Sequence, residues 1–215
     1  MKRREFILAL GGVAFAPSAF GQERKVVGLL GPTAASAADK RTAAFVQRLR
    51  DRGWTAGRNV TIEYRWADGR TERFALLAAE LAKLNVAVIA TWGTATALAA
   101  KRATASIPIV FTVVGDPVGS GLVSSLARPG GNVTGTSTQH QDTVGKRMQF
   151  LHESVPGIRR LAILTNAGNP ADLDEKNQVG TAAAKLGIEL VSLELRRGED
   201  IAPSITSLKG RVDAL

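Results

Sequence analysis

Short apolar segments alternate with longer segments of helical periodicity from residue 25 onward. The segment 25–30 is an apolar run that ends at Gly31-Pro32, which predicts a buried strand followed by a turn. Residues 39–52 place their apolar side chains near one side of a helix, and residues 59–66 alternate as a half-buried strand does. This alternation predicts βαβ units and a parallel sheet.

The same pattern continues along the chain and restarts after residue 140. The further elements have the lengths of ordinary crossover helices and buried strands. The predicted helices are 74–84, 94–105, 118–127, 144–155, 170–186 and 201–208. The predicted strands are 86–91, 107–114, 132–137, 160–164 and 188–195, and residues 211–215 begin another.

The alternation is interrupted near residues 137–145, which predicts two lobes. We predict an α/β protein with two doubly wound parallel-sheet lobes joined by a hinge, lobe 1 over residues 22–138 and lobe 2 over residues 139–215. Residues 212–215 open a buried strand without completing it. Because a central strand that stops midway leaves backbone groups unpaired, we expect lobe 2 to be incomplete and the chain to be C-terminally truncated.

The start of the chain has the character of an export leader. A basic segment that includes Arg3 and Arg4 precedes an apolar run of about fifteen residues, shorter than a membrane-spanning helix. We predict a signal peptide over residues 1–21, cleaved near Ala19 or Gly21 and similar to twin-arginine leaders. The protein is therefore expected in the periplasm, and a retained N-terminal anchor is the alternative.

Composition excludes several classes of protein. The 215 residues include no Cys and only two His, which excludes disulfide scaffolds, thiolate metal sites, lipobox anchors and His-rich zinc sites. The net charge is +9, from 28 Lys and Arg against 19 Asp and Glu, and it becomes +7 without residues 1–21. Because the remaining basic residues are scattered, we expect no nucleic-acid partner, and we expect neither a metal nor a cofactor.

Polar loops follow the strands at the end of the sheet where ligands of doubly wound folds bind. The loop 92–96, with Thr94, Thr96 and their adjacent amides, suits a carboxylate or a phosphate. Asp116 could receive an ammonium group or a hydroxyl, and Trp92 could stack on a ligand face. Ordinary capping is the alternative for Thr94, Asp116 and Asn169. The candidate binding residues are Gly31, Pro32, Thr33, Trp92, Gly93, Thr94, Thr96, Gly115, Asp116, Pro117, Ser137, Asn166 and Asn169.

Catalytic motifs are absent from the sequence. It contains no G-x-S-x-G, H-E-x-x-H or G-x-x-x-x-G-K-[ST] motif, and residues 28–31 lack the dinucleotide spacing. His140 and His152 lie near no obvious nucleophile in sequence and are expected at the surface. We therefore expect a protein that is not an enzyme. An exported hydrolase would need a nucleophile and base, and a sugar-responsive repressor of this fold would need a helix-turn-helix where the leader lies.

Several segments in fixed order resemble one protein family. They are Val26-Val27-Gly28-Leu29-Leu30, Gly53-Trp54-(x)3-Arg58-Asn59-Val60-(x)3-Tyr64-Arg65-Trp66-Ala67, Ile107-Pro108-Ile109-Val110-Phe111, the block from Gly115-Asp116-Pro117-Val118 to Asn132-Val133-Thr134-Gly135, and Lys146-(x)3-Phe150-Leu151. Together they are similar to the ABC transporter substrate-binding proteins of the tryptophan/tyrosine-type family, which have a type I periplasmic-binding fold. The resemblance covers essentially all of the chain.

The resemblance implies a small ligand, an amino acid or related carboxylate, held in a cleft between two hinged lobes. It also implies delivery to an ABC permease with its ATPase, so that the membrane is reached only through the permease, and a chain of roughly 320 residues. In such proteins the loops matching residues 31–33, 92–96 and 115–117 line the first lobe's half of the site, and the loop matching 166–170 lines the second's. A ligand-binding sensor without a transport role and a non-functional truncated remnant are the alternatives.

Overall fold

Two parallel sheets carry the structure, a computed structural model that describes residues 24–215. The first sheet has five strands in the order β2-β1-β3-β4-β5, all parallel. Its strands are β1 (Lys25–Gly31), β2 (Val60–Trp66), β3 (Val88–Trp92), β4 (Ile109–Val114) and β5 (Val133–Ser137), and its helices are α1 (Ala35–Asp51), α2 (Phe74–Lys83) and α3 (Thr94–Ala103). The signal peptide predicted over residues 1–21 lies outside the described residues.

Helices α2 and α3 pack on one face of this sheet. Leu30, Leu81, Ile89 and Ile109 are fully buried in one apolar cluster between them and the strands. Gly28 lets α2 come close, because a Cβ at this position would lie 3.0 Å from a methyl carbon of Leu81. The parallel pairing of β1 with β3 places their carboxyl ends side by side, so the loops that follow them are neighbours.

The second sheet is smaller and has its own core. It pairs β6 (Arg160–Asn166) with β7 (Glu189–Leu195), and its helices are α4 (Val144–Ser154), α5 (Pro170–Lys185) and α6 (Ile201–Leu208). Met148, Leu161 and Val179 lie in its buried cluster. Ala214 forms a parallel bridge to Leu161 on the other side of β6. The last residues therefore lie along the edge of β6 that β7 leaves free.

Residues 138–143 connect β5 to α4 and are held to the second sheet's helices by side-chain contacts. Nδ1 of His140 lies 2.9 Å from Oγ1 of Thr138, and its Nε2 lies 3.3 Å from Oε2 of Glu175 in α5. Glu175 also accepts a 2.5 Å hydrogen bond from Arg147 in α4. Lobe 1 therefore denotes the described residues up to 138 and lobe 2 those from 139 onward, and the boundary between them stays a prediction.

The predicted fold class is confirmed, and most predicted elements agree with the structure within a few residues. The helix predicted over residues 118–127 is wrong, because this segment forms turns. Oδ1 of Asp116 accepts hydrogen bonds from the backbone N–H groups of Val118 and Gly119, and Gly121 has a φ of 71°, so helical bonding cannot propagate. Helix α1 begins at Ala35, four residues earlier than predicted.

His140 and His152 are both exposed, as predicted. Within residues 24–215, no helix combines the length and apolarity that crossing a bilayer requires.

Candidate functional site

The carboxyl ends of the two sheets face each other. Gly168, in the loop after β6, lies against Thr71, in the segment after β2, so closely that a Cβ on Gly168 would be 2.3 Å from Oγ1 of Thr71. A parallel sheet presents its binding loops at this end, so the two sets of loops oppose one another. The arrangement is that of a cleft between two lobes.

A cavity of about 850 Å³ opens between the lobes beside this contact. It is lined by residues 68–72 after β2 and by residues 168 and 196–199 of lobe 2. Its walls are charged: Arg73 pairs with Asp68, and Arg197 pairs with Glu199 at 3.1 Å. None of the predicted binding residues is among those that line this cavity, and the sequence did not lead us to predict the segments that do. The strand-end rule, applied equally to β2 and β7, would have found them.

Three aromatic rings lie side by side over the carboxyl ends of β2, β1 and β3. The rings of Trp66 and Trp92 are 5.7 Å apart and tilted by 58°, and Tyr64 stacks on Trp66 at 6.1 Å. The two Trp rings meet over Gly31, where a Cβ would lie 2.2 Å from the ring of Trp66 and 2.9 Å from that of Trp92. Trp92 therefore packs on Trp66 at the edge of the cleft, and only its remaining ring surface could contact a ligand.

The start of α3 offers unused hydrogen-bond donors. Gly93, with a φ of 84°, precedes the helix, and no side chain caps it. Thr94 is 4% exposed, and its hydroxyl has no hydrogen-bond partner among the described residues. Thr96 differs, because its hydroxyl donates to the carbonyl oxygens of Trp92 and Gly93. The amides of the first turn and the Thr94 hydroxyl are thus the groups that could meet a carboxylate.

The loop after β1 lies next to this helix start because β1 and β3 are paired. The Thr33 hydroxyl oxygen is buried and has no hydrogen-bond partner in the described part of the chain. Pro32 accepts a backbone hydrogen bond from Gly69, which ties the loop to the segment lining the cavity. The structure therefore brings the predicted residues 31–33 and 92–96 into one group.

Asp116 and Ser137 form a second group, at the ends of β4 and β5. Oδ1 of Asp116 accepts from two backbone N–H groups of its own turn, at 3.0 and 2.8 Å. The Ser137 hydroxyl donates to the carbonyl oxygens of Val114 and Gly115. His140 lies against Gly115, where a Cβ would be 2.6 Å from its ring. Local backbone groups thus engage both predicted side chains, and their contact with a ligand stays a prediction.

Asn166 and Asn169 organise the lobe 2 side of the cleft. Oδ1 of Asn166 accepts from the backbone N–H of Gly168 at 2.9 Å. Asn169 caps α5, with Oδ1 accepting from Ala171 and Nδ2 donating to Asp172 at 2.5 Å. The capping alternative for Asn169 therefore matches the structure, and these contacts hold Gly168 in position against lobe 1.

Burial raises the pKa of Asp172 above its ordinary value, and the nearby Glu175 carboxylate raises it further, against two hydrogen bonds that lower it. Because its pKa is higher in the folded protein, Asp172 keeps its proton to a higher pH there than in the unfolded chain. The free energy of unfolding therefore falls as the pH increases from about 4. We expect Asp172→Asn to remove that part of the pH dependence. Urea unfolding of both proteins between about pH 4 and pH 7 measures it; parallel stability curves would contradict the assignment.

A family model described as ABC transporter substrate binding protein matches residues 27–215. A curated relative, a tyrosine-binding protein of Clostridioides difficile (strain R20291), is 29% identical over 177 residues, which are 82% of this chain and 51% of the relative. The chain thus spans about half the length of this relative.

Solved structures show the same fold. A conserved domain protein from Vibrio cholerae is 28% identical with a TM-score of 0.77, and the match covers 89% of this chain and 64% of that one. An ABC domain in complex with L-Trp from Streptococcus pneumonia is 20% identical with a TM-score of 0.73, covering 88% and 63% of the two chains. At that identity the second likeness concerns the fold alone.

Proposed function

This chain belongs to the ABC transporter substrate-binding protein family, and from that premise we propose that it captures a small molecule between its lobes for delivery to a membrane permease. The observation that carries the proposal is the pair of parallel sheets whose carboxyl ends oppose each other across a cavity of about 850 Å³. Such a volume suits a ligand of amino-acid size with its hydration water. We assign no reaction to the protein.

We propose an amino acid or related carboxylate as the ligand class. The free amides of the first turn of α3 and the Thr94 hydroxyl are donors at a helix N-terminus, where an anionic group is stabilised, and the buried, unpaired hydroxyl of Thr33 lies in the neighbouring loop. The aromatic rings of Trp66 and Trp92 stand beside these donors and offer an apolar surface. The curated relative that is a tyrosine-binding protein supports the same class.

The ligand acts by selecting the closed arrangement of the lobes. Loops of both lobes line the cavity, so a bound molecule contacts both only when they approach. The partner is an ABC permease with its ATPase, and the site of action is the periplasm, to which the leader predicted over residues 1–21 would direct the chain. The residues that line the cavity include two exposed basic side chains, Arg70 and Arg196.

A thermal-shift panel of the twenty amino acids and small aromatic carboxylates tests the function. A true ligand at 100 times its Kd stabilises the protein by about 2.7 kcal/mol, which a melting experiment resolves easily. We expect a hit whose shift is reduced in Thr94→Val, since that change removes the hydroxyl and keeps the size of the side chain. If no compound shifts the melting temperature, the ligand class is wrong.

Two substitutions of Asp116 distinguish a structural role of its carboxylate from a role in ligand binding. Asp116→Asn retains an Oδ1 acceptor for the Val118 and Gly119 amides but loses the charge, whereas Asp116→Ala loses both and should cost about 1 kcal/mol of stability. If Asp116 holds the ligand's ammonium group, both variants bind the panel's hit about tenfold more weakly. Wild-type affinity in Asp116→Asn would show that the carboxylate only holds its turn.

A further inference from the structure

Positive charge is distributed unevenly between the two lobes. Residues 24–138 contain fifteen Lys and Arg against seven Asp and Glu, a net charge of +8, whereas residues 139–215 contain ten of each. The chain's excess charge therefore belongs to lobe 1. The proposed transport function gives no reason for this asymmetry.

Six of these basic residues lie at one end of lobe 1. They lie at the start of β1, at the ends of α1 and α2, or just before β2. Because crossover helices run antiparallel to the strands that they connect, all six residues stand at the amino end of the sheet, opposite the cleft. We call this set the basic pole: Arg24, Lys25, Arg50, Arg52, Arg58 and Lys83.

The positive charges of the basic pole are almost unbalanced by nearby negative charges. All six side chains are exposed, and none forms an ion pair with a carboxylate of residues 24–215. Asp51 lies among them and pairs with Arg48 instead, at 3.6 Å. Compensation of helix dipoles explains basic residues in a last turn, such as Arg50, but Arg24, Lys25 and Arg58 are in no helix.

Two apolar side chains stand at the same end. Trp54, in the turn between α1 and β2, is 39% exposed, and Leu84, directly after α2, is 49% exposed. Single Trp and Leu side chains among basic residues are typical of surfaces that rest on lipid headgroups, where the ring lies at the interface. The leader predicted over residues 1–21 would join the chain at this end, since it precedes Arg24.

We propose that the basic pole binds an anionic phospholipid surface. The geometry favours lipid over an acidic protein, because the charges come from separate elements around isolated apolar side chains, and a lipid surface needs charge density without a fixed pattern of contacts. Cleavage near Ala19 or Gly21 would place the new amino terminus within a few residues of the pole and add a positive charge. Binding would hold lobe 1 at the membrane with its cleft end free.

Vesicle flotation of the exported protein, recovered from the periplasmic fraction, tests this directly. The probe is vesicles of phosphatidylglycerol and phosphatidylcholine at about 3:7, compared with phosphatidylcholine alone. The pole variant changes Lys25, Arg50, Arg52, Arg58 and Lys83 to Gln. A control variant makes the same change of charge on lobe 2, at the exposed residues Lys146, Arg159, Lys185, Lys209 and Arg211.

We expect wild type and the control variant to bind anionic vesicles with similar affinity, and the pole variant to bind them at least about tenfold more weakly. Wild-type binding should be lost at about 0.5 M salt, because salt screens the charges. Trp54→Ser should weaken binding about threefold. Equal loss in both variants, or no wild-type preference for anionic vesicles, overturns the proposal. Binding to polyglutamate as tight as to vesicles, with no effect of Trp54→Ser, overturns it in favour of an acidic protein. The ligand panel should be unaffected by the pole variant, so failure here is distinct from failure of the transport function.

Discussion

Gly135→Ala is expected to destabilise the fold by about 3 kcal/mol or more. Gly135 in β5 pairs with Phe111 in β4, next to a register irregularity. A Cβ at Gly135 would lie 2.0 Å from the carbonyl oxygen of Phe111 and 2.7 Å from its ring. Since that oxygen belongs to the neighbouring backbone, relief of the clash requires the two strands to separate.

Gly131→Ala is the matched control for this substitution. It lies four residues earlier, and a Cβ there would meet no atom within 4 Å. Chemical unfolding should therefore show a change within about 0.5 kcal/mol for Gly131→Ala beside the large loss for Gly135→Ala. Equal stabilities of the two variants would mean that β4 and β5 are not paired as described.

Gly168→Ala is expected to weaken ligand binding by at least about tenfold with little effect on folding. The new methyl group would overlap Thr71, with 2.3 Å to its Oγ1 and 2.8 Å to its Cβ. Because Gly168 and Thr71 belong to different lobes, the overlap is relieved by opening the cleft, and each lobe keeps its core. The closed state then holds a smaller share of the population.

The control is Gly198→Ala, which lines the same cavity but would place its Cβ in open space. It should bind the panel's hit like wild type in calorimetric titration. The double variant Thr71→Gly/Gly168→Ala removes the overlap and should recover most of the affinity, giving a coupling between the two positions. Undiminished binding by Gly168→Ala would show that these residues do not approach during closure.

The sequence predicts the elements well because their signals are local. Buried strands such as residues 25–30 and helices such as 201–208 follow from apolar runs and periodicity alone. The segment 118–127 fails for a reason of the same kind: its apolar spacing suits a helix, but Gly119 and Gly121 weaken it, and the Asp116 side chain takes the amides that would start it.

The site is less predictable because it depends on which strands become neighbours. The strand-end rule places Thr33 and Thr94 at the correct end of the sheet, and the pairing of β1 with β3 brings them together. The contact of Trp92 with Trp66 depends on the register of three strands, and the contact of Gly168 with Thr71 depends on the relation between two sheets. Neither relation leaves a periodic signal in the sequence.

The distance between the lobes tests the central claim most directly. The chain contains no native cysteine, so Leu76→Cys in α2 and Asn177→Cys in α5, both exposed, allow a pair of fluorophores to report that distance. We expect the panel's hit to shorten the distance in the labelled protein and to shorten it less when Gly168→Ala is added. A distance unchanged by every compound that raises the melting temperature would contradict capture by closure of the two lobes.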